Sequence, residues 1–125
     1  REGNDIAFIA NGETVVHALL AAENLAASGI SARVLSLHTV KPLDTDAILA
    51  AGRECHAVVT VEEHMVNGGV GEAVASTLLQ AGVTPKFKIV GIPDEDTVTG
   101  AQADIFRHYG ISMEGLTETA QALLK

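Results

Sequence analysis

The run VVTVEEHMVNGGVGEA, Val58 to Ala73, constrains the fold of this 125-residue chain more than any other stretch. Val58, Val59, Thr60 and Val61 are four apolar or β-branched residues in a row, which suits a strand covered on both faces, as in a parallel sheet. Glu62, Glu63 and His64 mark the point where that strand is expected to surface. After the glycines, Val70, Ala73, Val74, Thr77 and Leu78 fall at i, i+3, i+4, i+7 and i+8, one face of a helix. A strand that hands over to a glycine-led helix is a place to present backbone N–H groups and polar side chains.

The same alternation runs through the whole chain. Asp5 to Ala10 reads as a strand and Thr14 to Ala27 as an alanine-rich helix with Val15, Leu19, Ala22 and Ala26 inward, stopped at Gly29. Ser31 to His38 is a second strand. Lys41, Pro42, Leu43 and Asp44 form a structural turn in which Asp44 caps a helix running to about Ala51, closed by Gly52. Lys86 to Val90 supplies a fourth strand. Two short helices follow, Ala101 to His108 and a second that starts at Ser112 and turns Leu116, Ala120, Leu123 and Leu124 to the core. Right-handed crossovers then predict an α/β fold, a three-layer α/β/α sandwich on a mostly parallel sheet of four to five strands, in the order 2-1-3-4. The crevice of that order lies between Asn11–Thr14 and Glu62–Gly71.

Composition narrows the classes. One compact core accounts for the length, so residues 1–125 are expected to form a single domain. Eight Lys and Arg against sixteen Asp and Glu give a net charge of -8 with no basic stripe, which speaks against nucleic acid as a partner. No apolar run approaches the roughly 20 residues a bilayer needs, so no membrane partner is expected. The lone Cys55 cannot form an internal disulfide, which fits a reducing, cytoplasmic setting.

Within the crevice, Glu62, Glu63, His64, Asn67, Gly68, Gly69 and Gly71 form a candidate contact loop. Its glycines can cradle an anion through main-chain N–H groups, permit a tight turn with close packing, or meet another protein. Neighbours on an extended strand point in opposite directions, so Glu62, Glu63 and His64 do not converge as a metal or acid–base set. His38 shares that edge of the sheet, but pairing it with His64 needs tertiary geometry. Cys55 beside His56 makes no catalytic pair by adjacency, and Asp94, Glu95 and Asp96 read as a solvated loop. Neither catalytic, cofactor-binding nor metal residues are assigned.

Three ordered segments carry a family resemblance. These are LHTVKPLD at Leu37 to Asp44, VTVEEHMVNGGVGEAV at Val59 to Val74, and GIPDEDTVTG followed by HYGISMEGL. Together they resemble the C-terminal domain of transketolase, including forms split into two polypeptides, over essentially the whole chain. Thr39 to Asp44 match a T-[IV]-K-P-L-D turn, Val61 to His64 a V-E-[DE]-H strand end, and Gly68 to Val74 a G-G-[LIV]-G-x-A-V helix start. Thr99, Gly100, Tyr109, Gly110 and Ile111 match the family's closing segments.

The resemblance implies a thiamine diphosphate enzyme, with magnesium, that moves a two-carbon ketol unit from a ketose phosphate to an aldose phosphate. The cofactor would be held by domains outside this chain, since the family's G-D-G motif does not occur here. It further implies a fragment of a longer polypeptide that lacks most of an antiparallel edge strand and is inactive alone. Other transketolase domains or subunits would be its partners, in a homo-oligomer. The alternatives are a regulatory or anion-binding module, or a subunit-docking domain of a related enzyme, 1-deoxyxylulose-5-phosphate synthase or a 2-oxo acid dehydrogenase beta subunit.

Overall fold

The computed structural model describes residues 1–37, 43–66, 68–93 and 100–125, with backbone alone at 64 and 65. Four strands, β1 (Ile6–Ala10), β2 (Ala32–Ser36), β3 (Ala57–Met65) and β4 (Lys86–Ile92), lie in the order β2-β1-β3-β4, and every neighbouring pair is parallel. Helices α1 (Thr14–Ala26), α2 (Thr45–Glu54), α3 (Val70–Gln80), α4 (Gln102–His108) and α5 (Met113–Leu124) are the other elements among the described residues. The expected order and three-layer architecture are both present.

Alternation along β1 divides the core in two. Ile6, Phe8 and Ala10 face α1, α4 and α5 through Ala18, Leu25, Phe106, Leu116 and Ala120. Ala7 and Ile9 face α2 and α3 through Ile48, Ala51, Val74 and Leu78. Arg1 and Val34 exchange both backbone hydrogen bonds, 3.0 and 3.3 Å, the pattern of an antiparallel pair at the outer edge of β2.

Three expectations are corrected. The buried face of α1 is Thr14, Ala18, Ala21, Ala22 and Leu25, whereas Leu19 and Ala26 are exposed. The phase is set at the first turn, where the Thr14 hydroxyl lies 2.6 Å from the Asn11 carbonyl and 3.2 Å from that of Val61 and turns this residue toward the sheet. Helix α2 continues through Gly52 to Glu54. A Cβ at Gly52 would stand 2.5 Å from Leu78 Cδ2 and 2.9 Å from Val83 Cγ1, so this glycine serves close approach of α2 and α3 rather than termination. Finally, β3 does not surface at Glu62. It runs on to Met65, and Glu62 is fully buried.

Asp44 does cap α2, its carboxylate accepting from the Ala47 N–H at 3.2 Å, and Ser112 caps α5 through the Gly115 N–H, also at 3.2 Å. Lys41 and Pro42 of the same turn lie outside the described residues, as do His38, Asn67, Thr99 and the acidic run Asp94, Glu95 and Asp96.

Candidate functional site

The carboxyl ends of β1 and β3 and the first turns of α1 and α3 meet at one edge of the sheet, and the geometry there follows from a bulge. Val61 pairs with Val90 and Met65 with Ile92, so three residues of β3, Glu62 to His64, stand opposite Gly91 alone. Such bulges re-aim side chains at a sheet edge. Glu62 keeps the parity of Val58 and Thr60 and enters the α3 side. Glu63 keeps that of Val59 and Val61 and faces the α1 side. The two glutamates therefore diverge, as alternation along the strand requires.

Glu62 Oε2 accepts the Gly71 N–H at 2.9 Å. Gly71 lies in the first turn of α3, where N–H groups have no partner within the helix, and the N-cap Gly69 has no side chain to supply one. A carboxyl oxygen from the neighbouring strand takes over that role. Gly71 is required for the fit: a Cβ there would stand 2.6 Å from Ile89 Cγ2 and 2.8 Å from Thr60 Oγ1. On the outer side of the same turn, Glu72 Oε1 accepts the Gly68 N–H at 3.0 Å, close in form to a capping box.

The glycine cradle is thus already in use. Two of its N–H groups, those of Gly68 and Gly71, already donate to the chain's own carboxyl oxygens rather than standing open to an anion. Glu63 lies over the β1–α1 loop, where a Cβ at Gly12 would be 3.0 Å from its Oε1, and Gly12 itself has φ +58°. A glycine tolerates both that conformation and that contact. Among the described residues this edge presents the half-buried Glu63, an acceptor for N–H, lysine or arginine donors.

Of the candidate loop, Glu62, Glu63, Gly68, Gly69 and Gly71 come together here, while Asn67 and the side chain of His64 lie outside the described residues. Glu72 is the member that the sequence reading missed, although a glutamate three residues after an N-cap glycine is a recognisable capping signal. Cys55 and His56 lie at the opposite end of the sheet. The Cys55 thiol is buried, 3.5 Å from the Gly3 carbonyl, and burial pushes its pKa up, with Arg33 opposing that shift. His56 is exposed, so the two make no nucleophile–base pair. Among the described residues no three His, Cys, Asp or Glu side chains gather as a metal site. No helix among them is long and apolar enough to cross a membrane.

Comparison with known proteins agrees with this architecture. The model of the transketolase C-terminal domain matches residues 1–116. One subunit of the apulose-4-phosphate transketolase of Phocaeicola vulgatus is 44% identical over 124 residues, covering 99% of this chain and 39% of that protein. The 1-deoxy-D-xylulose-5-phosphate synthase of Thermomicrobium roseum is 43% identical over 124 residues, covering 99% of this chain and 20% of the relative. A solved structure described as a split gene transketolase, inactive beta4 tetramer, superposes with a TM-score of 0.87 at 36% identity, covering 99% of this chain and 39% of the other. The chain therefore spans 39% or less of the length of these relatives. A parallel sheet in the order 2-1-3-4, its glycine-led third helix and the match over residues 1–116 lead to one assignment: the chain belongs to the transketolase C-terminal domain family.

Proposed function

We propose that this chain is the C-terminal, structurally supporting domain of a longer transketolase, which uses thiamine diphosphate and magnesium to transfer a two-carbon ketol unit from a ketose phosphate to an aldose phosphate. In this reading the domain orders and associates the cofactor-binding domains and performs no step of the chemistry. One observation carries the supporting role: the N-terminus of α3 is closed by the chain's own Glu62 and Glu72 rather than left open to a ligand. The described residues do not fit the cofactor's metal-diphosphate group, for they hold no carboxylate cluster and the sequence has no Gly-Asp-Gly.

The similarity to one subunit of an apulose-4-phosphate transketolase supports a partner polypeptide, and the beta4 tetramer supports self-association. The test is ketol transfer by residues 1–125 with cofactor and magnesium, set beside the natural protein that carries them. The domain alone is expected to show none. Cofactor-dependent turnover by the isolated domain overturns the supporting role. The 43% identity to a 1-deoxy-D-xylulose-5-phosphate synthase favours a second reading, in which the domain supports that enzyme instead. Formation of 1-deoxyxylulose 5-phosphate, without ketol transfer, by the natural protein would select it.

A further inference from the structure

Two asparagines of the chain precede a glycine, Asn11-Gly12 just after β1 and Asn67-Gly68 just before α3. An asparagine side chain carries an amide carbon within one ring closure of the next backbone nitrogen, and a glycine there puts no side chain in the way. In a folded chain, what holds that nitrogen decides whether it can attack. The Gly68 N–H donates to Glu72 Oε1 at 3.0 Å. The Gly12 N–H donates no hydrogen bond among the described residues, and Gly12 is exposed in a loop with φ +58°. The Asn11 amide oxygen is not tied down either: Oδ1 is buried with no hydrogen-bond partner among the described residues. The nucleophile is thus held at one pair and open at the other.

We propose that Asn11 is a site of spontaneous covalent modification in the folded protein, deamidation with water as the co-reactant, and that Glu72 protects Asn67 from the same reaction. The Gly12 nitrogen loses its proton to solvent and bonds to Asn11 Cγ. The Cγ–Nδ2 bond breaks, and ammonia leaves with a proton from solvent, so that a cyclic imide remains. Water then opens the imide at either carbonyl. Cleavage of the new bond gives aspartate, whereas cleavage of the original peptide bond gives isoaspartate, with the main chain running through Cγ. Nothing is oxidised or reduced; one water enters and one ammonia leaves. Both products add a carboxylate next to Gly12, over which Glu63 already lies. Isoaspartate also takes the Asn11 carbonyl out of the main chain, and that carbonyl accepts the Thr14 N–H at 3.3 Å and the Thr14 hydroxyl at 2.6 Å. The reaction therefore strikes the anchor of α1. At Asn67 the Gly68 nitrogen must first give up Glu72 before it can attack.

The test incubates the natural protein in mildly alkaline buffer made with heavy-oxygen water, which labels the acid formed during the incubation, and follows both Asn-Gly peptides by mass spectrometry. Asn11 is expected to convert about tenfold faster than Asn67, because the Gly68 N–H must first lose its bond, and to give both aspartate and isoaspartate. In urea-unfolded protein the two sites are expected to convert at similar rates. Glu72→Ala, which frees the Gly68 N–H, is expected to raise the rate at Asn67 toward that at Asn11 and to leave Asn11 unchanged. Equal rates in the native protein, or a faster Asn67, overturn the proposal. So does a preference for Asn11 that persists in urea, since it would come from neighbouring residues and not from the fold. An Asn11 that stays intact in the native protein while the unfolded chain converts shows that the loop, or a domain covering it, keeps the ring from closing, and removes the site. An Asn67 rate unmoved by Glu72→Ala removes the protection.

Discussion

Helices α1 and α3 each follow a central strand and pack on opposite faces of the same sheet, yet they are anchored and exposed in opposite ways. Helix α1 is held by its own first residue, the Thr14 hydroxyl reaching the Asn11 and Val61 carbonyls, and its outer face carries Val16, Leu19 and Leu20 beside Glu23. Helix α3 begins with glycines that carry no anchor, so Glu62 of β3 supplies one, and its outer face carries Glu72, Ser76 and Gln80 around Leu79. A locally capped helix leaves the neighbouring strand free to be apolar. A glycine-led helix packs flush on the sheet at the cost of a buried carboxylate that must be satisfied, and here that carboxylate fills the site a ligand anion would use.

The largest effect expected from breaking this arrangement is at Glu62. Glu62→Ala leaves the Gly71 N–H buried without its acceptor, a loss of about 1–3 kcal/mol in urea unfolding. Glu62→Gln, which keeps an acceptor of the same shape, should recover part of it. If Ala and Gln are equally mild, the anchor assigned to α3 does not hold.

A local cap on a third helix calibrates the comparison. Asp44→Ala removes the bond to the Ala47 N–H and is expected to lower stability by about 0.5–2 kcal/mol, visible as a lower Tm, because an N-cap satisfies one of the orphan donors of the first turn. An unchanged Tm would show that solvent satisfies that donor as well as Asp44 does.

At the start of α1, Thr14→Val preserves shape and deletes the hydroxyl, which is 2.6 Å from the Asn11 carbonyl. A neutral hydrogen bond contributes about 0.5–1.5 kcal/mol, so denaturant titration should place this variant below Glu62→Ala in damage. The reverse order would mean that α1, not α3, has the more demanding anchor.

These two helix starts also show what the sequence could disclose. The order of strands and helices was readable because β1 and the first part of β3 are unbroken apolar runs and glycines punctuate the helices. The Asp44 and Ser112 caps were readable because both act three residues along the chain. The depth of Glu62 was not, since its partner is a backbone N–H nine residues on, brought close only by the strand-to-helix turn. The phase of α1 failed for a different reason: alanine and leucine occur on both of its sides, so periodicity fixed no single inward face until Thr14 was placed. Gly52 read as a stop because sequence does not distinguish a glycine that ends a helix from one against which Leu78 packs.

The smallest change in fold stability should come from the feature that most separates the two helices. Leu20→Gln on the outer face of α1 removes apolar surface that the described fold leaves open, and exposed substitutions of this kind generally alter stability by no more than about 0.5 kcal/mol. Chemical denaturation at low protein concentration should therefore leave the midpoint where it was. A Leu20→Gln variant that is destabilised equally at all concentrations would place the side chain in an intramolecular contact, and the contrast between an open α1 and a closed α3 would be lost.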